Sequence, residues 1–469
     1  MSPGHNALSE HAMPSVSVVI VTWNKRQYVL NLLTSLAGIE KGACMLHITV
    51  VDNASTDDTV TAITEQFPGV HVIRNAENLG GTGGFNTGLT HVLQQGGFDY
   101  CWLLDNDVEV DRQALVELVH VLESDPAIGV VGSQVRQLDN PGVINETGGL
   151  VVPAVYGLVL LNHRVRAEAF EQTPAARELI PADYCAASSL LVRREVLEQV
   201  GLWKDLFIHF DDVEWCLRVR EAGFRVVCNP RSVVWHLSAD GKPITWILYY
   251  DVRNYLYLLR DHYGPAAVTR AIRRYAGNSF KESLRGRWHV ARLYLRGVHD
   301  YLTCRMGRAE GQLLDEGLVM DWHSFLAEEC HPDARVITTS HFSGRPEAEH
   351  LADVARRTGT MTVWIAPGDT PAADYLPGAV RATVPVTRIG RGLALARDML
   401  RLHRPYDIGL FPHDKPSLLF NRRCRRMFLV VEGGVIPIDT RLRAAVGKCC
   451  TLAAAWWQVW RMPACSQPV

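Results

Sequence analysis

Asp105 and Asp107 stand two residues apart at the end of an apolar run, YCWLLDNDVEV. In an extended segment, residues i and i+2 point to the same side. Two carboxylates so placed can hold a divalent cation, and Mg²⁺ or Mn²⁺ prefers such oxygen ligands, with substrate phosphate completing the shell. Asp and Asn also favour turns, so the pair alone does not decide between the two roles. His236 closes the apolar run VVWH. Alone it reads as a satisfied buried residue; beside an Asp-x-Asp it becomes a candidate third ligand. A second acidic pair, Asp211 and Asp212 in LFIHFDDVEWCLRVREAG, opens a helical pattern. One Asp suffices as a helix cap, where the macrodipole favours its ionised form. The second can accept the proton of an attacking hydroxyl. Spacing does not say which does what.

These residues need elements to position them. SVSVVIVTW (15–23), HITVVD (47–52), VHVIRN (70–75) and YCWLLD (100–105) are strand-like runs. The first is apolar almost throughout, as a strand covered on both faces should be. Helical patterns lie between them, including one that starts at STDDT with a cap signal and one from about Asp111. This alternation predicts an α/β domain with a mostly parallel sheet, in which ligands bind beyond the carboxyl ends of the strands. Those ends carry Thr22-Trp23-Asn24, Asp52-Asn53-Ala54-Ser55, Asn75 to Gly84, and Asp105-Asn106-Asp107. The stretch ENLGGTGGFNTGL (77–89) is neither a dinucleotide fingerprint nor a P-loop. Its glycines allow close approach to a nucleotide or sugar, or close packing of a helix, with equal weight.

IGVVGSQVR and YCAASSLLVR read as further strands, FRVVCNPRSVVWH (224–236) as a strand pair or extended segment, and ITWILYYDVRNYLYLLRDHYG (244–264) as an amphipathic helix. Residues 260–310 hold eleven Lys or Arg against four acids, with Trp288, Tyr294 and Tyr301 interleaved. A solvated helical face is the plainer reading; a helix pair lying on an anionic membrane surface is the sharper one. From about residue 333 a second α/β pattern begins, with RVITTS, MTVWIAP, DIGLF and MFLVVE as its strands, and LAAAWWQVWRM is a short Trp-rich helix suited to packing or to an interface.

Composition bounds the class. The chain has 469 residues, 47% hydrophobic, which allows two to three domains with substantial cores. Lys and Arg number 48 against 50 Asp and Glu, which argues against a general polyanion or nucleic-acid binder. Eleven Cys with no CxxC spacing give little support to a disulfide framework or a zinc site, and the default compartment is reducing. The first 14 residues lack the basic and apolar regions of a signal peptide and read as a disordered tail. No apolar run is long enough to span a bilayer.

Taken together, SVVIVTWN, VVDNASTDDT, NLGGTGGFNTG, LLDNDV, ADYCAASSLLVRREV, LFIHFDDVEWCLR, VVWH and YYDVRNYL, in this order from Val16 to about Tyr263, resemble the family 2 inverting glycosyltransferases of the GT-A fold. NLGG-GGF with FDD-EW and a following WH most resembles the galactofuranosyltransferases, with the rhamnosyltransferases of cell-surface polysaccharide assembly close behind. The resemblance implies that Asp105, Asp107 and His236 bind Mn²⁺ or Mg²⁺ and that Asp212 is the catalytic base. It implies donor contacts from Thr22, Asn24, Asp52, Asn78, Gly80, Gly81 and Asn106, and places Trp203, Trp215 and Asp211 at the acceptor. Many relatives carry Asp where this chain has Asn106, which leaves the metal ligands unaffected.

The expected chemistry is metal-dependent inverting transfer of galactofuranose or rhamnose from a UDP- or dTDP-linked sugar to a glycan or lipid-linked acceptor. The expected location is the cytoplasm, peripheral on the membrane face. Expected units are a tail (1–14), a GT-A domain (15–264), a basic helical segment (265–330) and a smaller α/β domain (331–469) of open role. A non-catalytic sugar-nucleotide scaffold would have no need of all four of Asp105, Asp107, Asp212 and His236. A sugar nucleotidyltransferase would carry a glycine- and basic-rich loop after the first strand, where VTWNKRQY has no glycine. Sugar identity, linkage, processivity and oligomeric state are not legible.

Overall fold

The computed structural model describes residues 13–42, 44–154, 157–237, 246–284, 287–311, 313, 320–339, 348–358, 360–365, 380–383, 406–412, 424–431, 434–438 and 442–462. The first unit contains strands β1 (Ser15–Thr22), β2 (Met45–Asp52), β3 (His71–Arg74), β4 (Tyr100–Asp105), β5 (Val108–Val110), β6 (Ile128–Gln137), β7 (Ile144–Glu146), β8 (Gly149–Val152), β9 (Gly157–Leu160), β10 (Ile180–Pro181), β11 (Leu190–Arg193) and β12 (Arg225–His236). Its helices are α1 (Arg26–Ala37), α2 (Thr59–Gln66), α3 (Gly80–Gln95), α4 (Ala114–Ser124), α5 (Ala167–Glu171), α6 (Arg194–Val200), α7 (Asp211–Glu221), α8 (Ile247–Tyr263), α9 (Pro265–Leu284) and α10 (Trp288–Leu302).

The main sheet runs β10-β12-β6-β11-β4-β1-β2-β3, with β5 on β12 and β7 on β6. Tracing the pairings, β12, β6, β4, β1, β2 and β3 share one direction, while β10 and β11 run against it. The sheet is therefore mostly parallel, and the ends of β1, β2 and β4 open on one edge. β1 has side chains buried on both faces. Val16, Val18 and Ile20 join the core under α1, α2 and α4, and Val19 joins the core under α3, α7 and α8. That is why its sequence is apolar without alternation.

Three readings of the sequence change. FRVVCNPRSVVWH is one strand, β12, with register shifts between Arg225 and Val226 and between Asn229 and Val233. The glycine-rich stretch runs into α3 from Gly80, which decides between its two readings in favour of helix packing at two positions. A Cβ at Gly84 or Gly88 would overlap Val21 or Val19, so these two glycines serve close helix–sheet packing. Cys304 is disulfide-bonded, where spacing gave little support to a disulfide framework, whereas Cys44, Cys101, Cys185, Cys216, Cys228, Cys330, Cys424 and Cys450 are free.

The helices of the basic segment pack into the first unit. Ala267, Ala271, Ala276, Ala291 and Val298 of α9 and α10 belong to the main core. Arg287 is buried against Glu282, Arg296 pairs with Asp300 and Arg305 with Glu310; Arg285 lies outside the described residues. Arg270, Arg273, Lys281 and Arg292 stay exposed. Among the described residues no helix is long and apolar enough to cross a membrane.

The second unit contains β13 (Met320–Asp321), α11 (Trp322–Glu328), β14 (Arg335–Thr339), α12 (Ala348–Arg357), β15 (Thr360–Ile365), β16 (Val380–Thr383), β17 (Tyr406–Pro412), β18 (Cys424–Val431) and β19 (Gly434–Ile438). Its sheet runs β13-β19-β18-β17-β14-β15-β16, so pairing already begins at Met320. The closing helix α13 (Leu442–Trp460) returns to the first unit, where Trp456 Nε1 donates to Ser279 Oγ at 3.1 Å and Leu452 and Val459 join the main core. Trp457 and Trp460 are exposed.

Candidate active site

The Asp-x-Asp spans a strand end and a turn, not one extended strand. Asp105 ends β4, Asn106 and Asp107 form a turn, and β5 starts at Val108. Both carboxylates thus sit at one turn. β5 pairs antiparallel with β12, Val108 opposite His236. This register brings His236 Nε2 to 3.1 Å from Asp107 Oδ1 and 3.9 Å from Asp105 Oδ2. Asn106 Nδ2 donates to Thr22 Oγ1 at 3.2 Å, tying the turn to the end of β1.

Charge is crowded here. Loss of solvation pushes the Asp105 carboxyl up to about 6, opposed by His236 and reinforced by Asp107 and Asp211. Burial works against a charged His236, but the Asp107 hydrogen bond and the carboxylates of Asp107, Asp105 and Glu146 outweigh it and raise its pKa. Among the described residues no three His, Cys, Asp or Glu side chains are already drawn into metal-holding geometry. The donor set nevertheless suits Mg²⁺ or Mn²⁺: two carboxylates and an imidazole, with His236 Nε2 now facing Asp107.

Asp211 and Asp212 sit at the start of α7, after a strained turn. Phe207, His209 and Phe210 have φ of 69°, 66° and 65°. Such left-handed non-glycine residues persist only where the surroundings hold them, and they cluster at functional sites. The holders are buried side chains of α8. Asn254 Nδ2 donates to the carbonyl oxygens of Leu206, Ile208 and His209 at 3.0, 2.8 and 2.9 Å. Arg253 Nη2 donates to Leu206 O at 3.0 Å and Nη1 to Gly307 O at 2.8 Å. From the other side, Thr82 N–H donates to Phe207 O at 3.1 Å.

Neither Asp caps the helix from the N-cap position, which Phe210 occupies. Asp211 is buried, and its Oδ2 accepts from Thr82 Oγ1 at 2.6 Å. Asp212 is half-buried; its oxygens accept from Ala187 N–H at 3.1 Å and Val213 N–H at 2.7 Å. Burial first, and then the adjacent Asp211 charge, push Asp212 up to about 7. Burial also raises Asp211, with Thr82 opposing.

Asp105, Asp107, His236, Asp211 and Asp212 line one cleft of about 720 Å³, together with Gly81, Trp203, Glu146, Tyr184, His209, Asp251, Tyr255 and Tyr275. That size suits a small ligand. His209 Nδ1 lies 2.7 Å from Asp251 Oδ1. Four polar atoms of this wall are buried without partners: Glu146 Oε2, Tyr184 OH, Trp203 Nε1 and Tyr255 OH. Buried polar groups are otherwise nearly always hydrogen-bonded, so this set calls for an explanation.

Of the remaining predicted residues, Trp203 and Asp211 line the cleft, whereas Thr22, Asn24, Asp52, Asn78, Gly80 and Trp215 are not in its lining. Thr22 is buried, and Asn24 (φ 50°) accepts from Thr56 N–H at 2.7 Å. Asp52 is fully buried. Its Oδ2 accepts from Ser55 N–H at 3.1 Å and faces Arg74 Nε at 3.5 Å, while Oδ1 has no partner. Asn78 Oδ1 accepts from Gly80 N–H at 2.8 Å. Gly80 (φ 74°) has no room for a Cβ, which would overlap the Phe207 carbonyl oxygen. Trp203 lines the cleft, but Trp215 does not: it is fully buried behind Trp203, its Nε1 donating to Gly201 O at 2.8 Å. Asp211 lines the cleft but spends its Oδ2 on Thr82.

Sequence reasoning missed Glu146, Tyr184, Tyr255, Tyr275 and the His209–Asp251 pair. Asp251, Asn254 and Tyr255 lie within YYDVRNYL, whose polar residues inside an amphipathic helix were a usable signal. Glu146 and Tyr184 carried none.

Comparison with known proteins gives the family. Residues 14–249 match the sequence profile "Glycosyltransferase like family 2". The chain is 24% identical over 244 residues to the galactofuranosyltransferase GlfT2 of Mycobacterium tuberculosis, covering 49% of this chain but only 38% of that enzyme's length. It is 25% identical over 268 residues to the N-acetylglucosaminyl-diphospho-decaprenol L-rhamnosyltransferase of the same species, covering 53% of this chain and 85% of that one. The structure of mannosyltransferase PcManGT from Pyrobaculum calidifontis, in complex with GDP-Man and Mn²⁺, aligns with a TM-score of 0.40 at 18% identity over 60% of this chain and 74% of that one. With half its length matched by the profile, the chain belongs to the glycosyltransferase-like family 2, and its sheet is mostly parallel α/β.

Proposed function

We propose that the chain is a metal-dependent inverting glycosyltransferase. It moves a sugar from a nucleotide diphosphate sugar to a hydroxyl of a glycan or lipid-linked acceptor. Galactofuranose or rhamnose on UDP or dTDP is the favoured donor, in keeping with the names of its relatives, and cell-surface polysaccharide synthesis is the favoured setting. The diphospho-decaprenol in one relative's name favours a lipid-linked acceptor.

One observation carries this reading: Asp105, Asp107, His236 and Asp212 line the same cleft. The acceptor oxygen bonds to the anomeric carbon from the face opposite the diphosphate. Its proton passes to Asp212, and the bonding pair of the old C–O bond leaves with the diphosphate. Asp105, Asp107 and His236 would hold Mn²⁺ or Mg²⁺, which when bound neutralises the departing diphosphate. The unpartnered Glu146, Tyr184, Trp203 and Tyr255 atoms suit a hydroxyl-rich acceptor. A peripheral hold on an anionic membrane face rests on exposed Arg270, Arg273 and Lys281 with Trp457 and Trp460, not on Arg287.

Calorimetry with UDP-galactofuranose and dTDP-rhamnose, with and without Mn²⁺, tests the reading. One donor should bind tightly only with Mn²⁺, and Asp107→Ala should abolish that dependence. Tight binding that is indifferent to Mn²⁺ in the wild type would overturn it.

A further inference from the structure

We propose that the second unit carries a phosphate-binding site of its own, at the carboxyl edge of β14 beside the N-terminus of α12, with Thr338 and Trp322 as its side chains. The site lies on a different sheet from the candidate active site and does not depend on the reading above.

Topology marks the place. β16, β15, β14, β17 and β18 are parallel neighbours in that order. The chain passes outward from β14 through β15 to β16, then crosses to β17 and β18 on the other side. Strand order therefore reverses between β14 and β17. In open α/β sheets a crevice forms at such a reversal, beyond the carboxyl ends of the strands, and ligands bind there.

Two buried groups point to a ligand at that edge. Thr338 is the penultimate residue of β14, fully buried, and its hydroxyl has no partner. Val336 lies two positions earlier, on the same face. It packs in one core with Leu351 and Val354 of α12, so Thr338 stands on the α12 side of the sheet. Because β14 and β15 are parallel, the connecting helix α12 must begin at the carboxyl edge, where Thr338 lies.

Trp322 reaches the same edge by another route. β13 pairs with β19 at Gly434 and Val435, immediately beyond the carboxyl end of β18, and Trp322 follows β13 directly. Its indole belongs to the same core as Val336 and stacks on His350 in the first turn of α12, with centroids 4.6 Å apart. Its Nε1 is buried with no partner.

The chemistry of these groups selects the ligand. An indole N–H can only donate, a hydroxyl can donate, and the first N–H groups of a helix point outward with a positive dipole end. The one acid of that first turn, Glu349, is exposed. Two unpartnered donors and a helix N-terminus at one edge, with the adjacent Asp321 carboxylate already engaged by Ser324, suit an anion. On a doubly wound sheet the fitting form is the phosphate of a nucleotide or sugar phosphate.

The test is calorimetric titration of UMP and of inorganic phosphate into the full chain in EDTA, which disfavours the metal-dependent donor site. The variants are Thr338→Val, which removes the hydroxyl at constant shape, and Trp322→Phe, which removes the N–H and keeps a ring. UMP should saturate one site, each variant should weaken it about tenfold or more, and Mn²⁺-dependent donor binding should be unchanged. UMP binding more tightly than phosphate identifies a nucleotide; equal affinity identifies the phosphate group alone. Thr338→Val should keep or raise Tm, which separates lost binding from lost folding. Absence of saturable binding of either probe to the wild type, or unchanged affinity in both variants, would overturn the site.

Discussion

Asp211 and Asp212 are consecutive, yet their carboxylates have different partners. Asp211 Oδ2 takes the Thr82 hydroxyl at 2.6 Å and so ties α7 to α3. Asp212 takes only the backbone N–H groups of Ala187 and Val213, and it opens on the cleft shared with Asp105. Both carboxylates line the cleft; what separates them is that the first also spends an oxygen on holding two helices together, while the second is held by backbone N–H groups.

The approach of α3 to the strained turn makes Gly80 irreplaceable. Gly80→Ala should cost about 2 kcal/mol or more, because a Cβ meets the Phe207 carbonyl oxygen and the φ of 74° disfavours any side chain. Gly81→Ala should fold normally, since its Cβ would come no closer than 3.8 Å to Asp211 Oδ2. Urea unfolding of both variants checks the contrast; equal stabilities would contradict it.

Asn254 is a positioning residue, because one amide bridges three carbonyl oxygens of the turn that presents Asp212. Asn254→Ala should lower kcat by about tenfold or more while KM for the donor stays within about threefold, as expected for a misplaced reacting group. A loss confined to KM would contradict the assignment.

The fold was legible wherever one element sufficed. Both faces of β1 are covered, so its apolar run announced a central strand, and RVITTS, MTVWIAP, DIGLF and MFLVVE announced the second sheet in the same way. The acidic pair at 105 and 107 was found for a reason the structure replaces: a turn gathers it, and β5–β12 pairing supplies His236. Glu146 and Tyr184 were illegible because each becomes unusual only when β7 and the segment before β11 meet around one cavity. Trp215, which the resemblance placed at the acceptor, is core: packing buries it completely.

The pH dependence follows from Asp212. A base must be ionised to act, and burial with the Asp211 charge raises this carboxyl to about 7. The value of kcat/KM should therefore climb tenfold per pH unit below about 7 and level off above it. Asp211→Asn removes the like charge and should move the break to lower pH. A break that stays put would show that Asp211 does not act on the titrating group.

The shared cleft of Asp212 and the Asp105–Asp107–His236 cluster is tested most directly by single-turnover transfer with Asp212→Asn at saturating donor and Mn²⁺. The account predicts transfer reduced about 10³-fold or more, with donor affinity within about threefold of wild type. Transfer within about tenfold of wild type would contradict the assignment of Asp212 as the base.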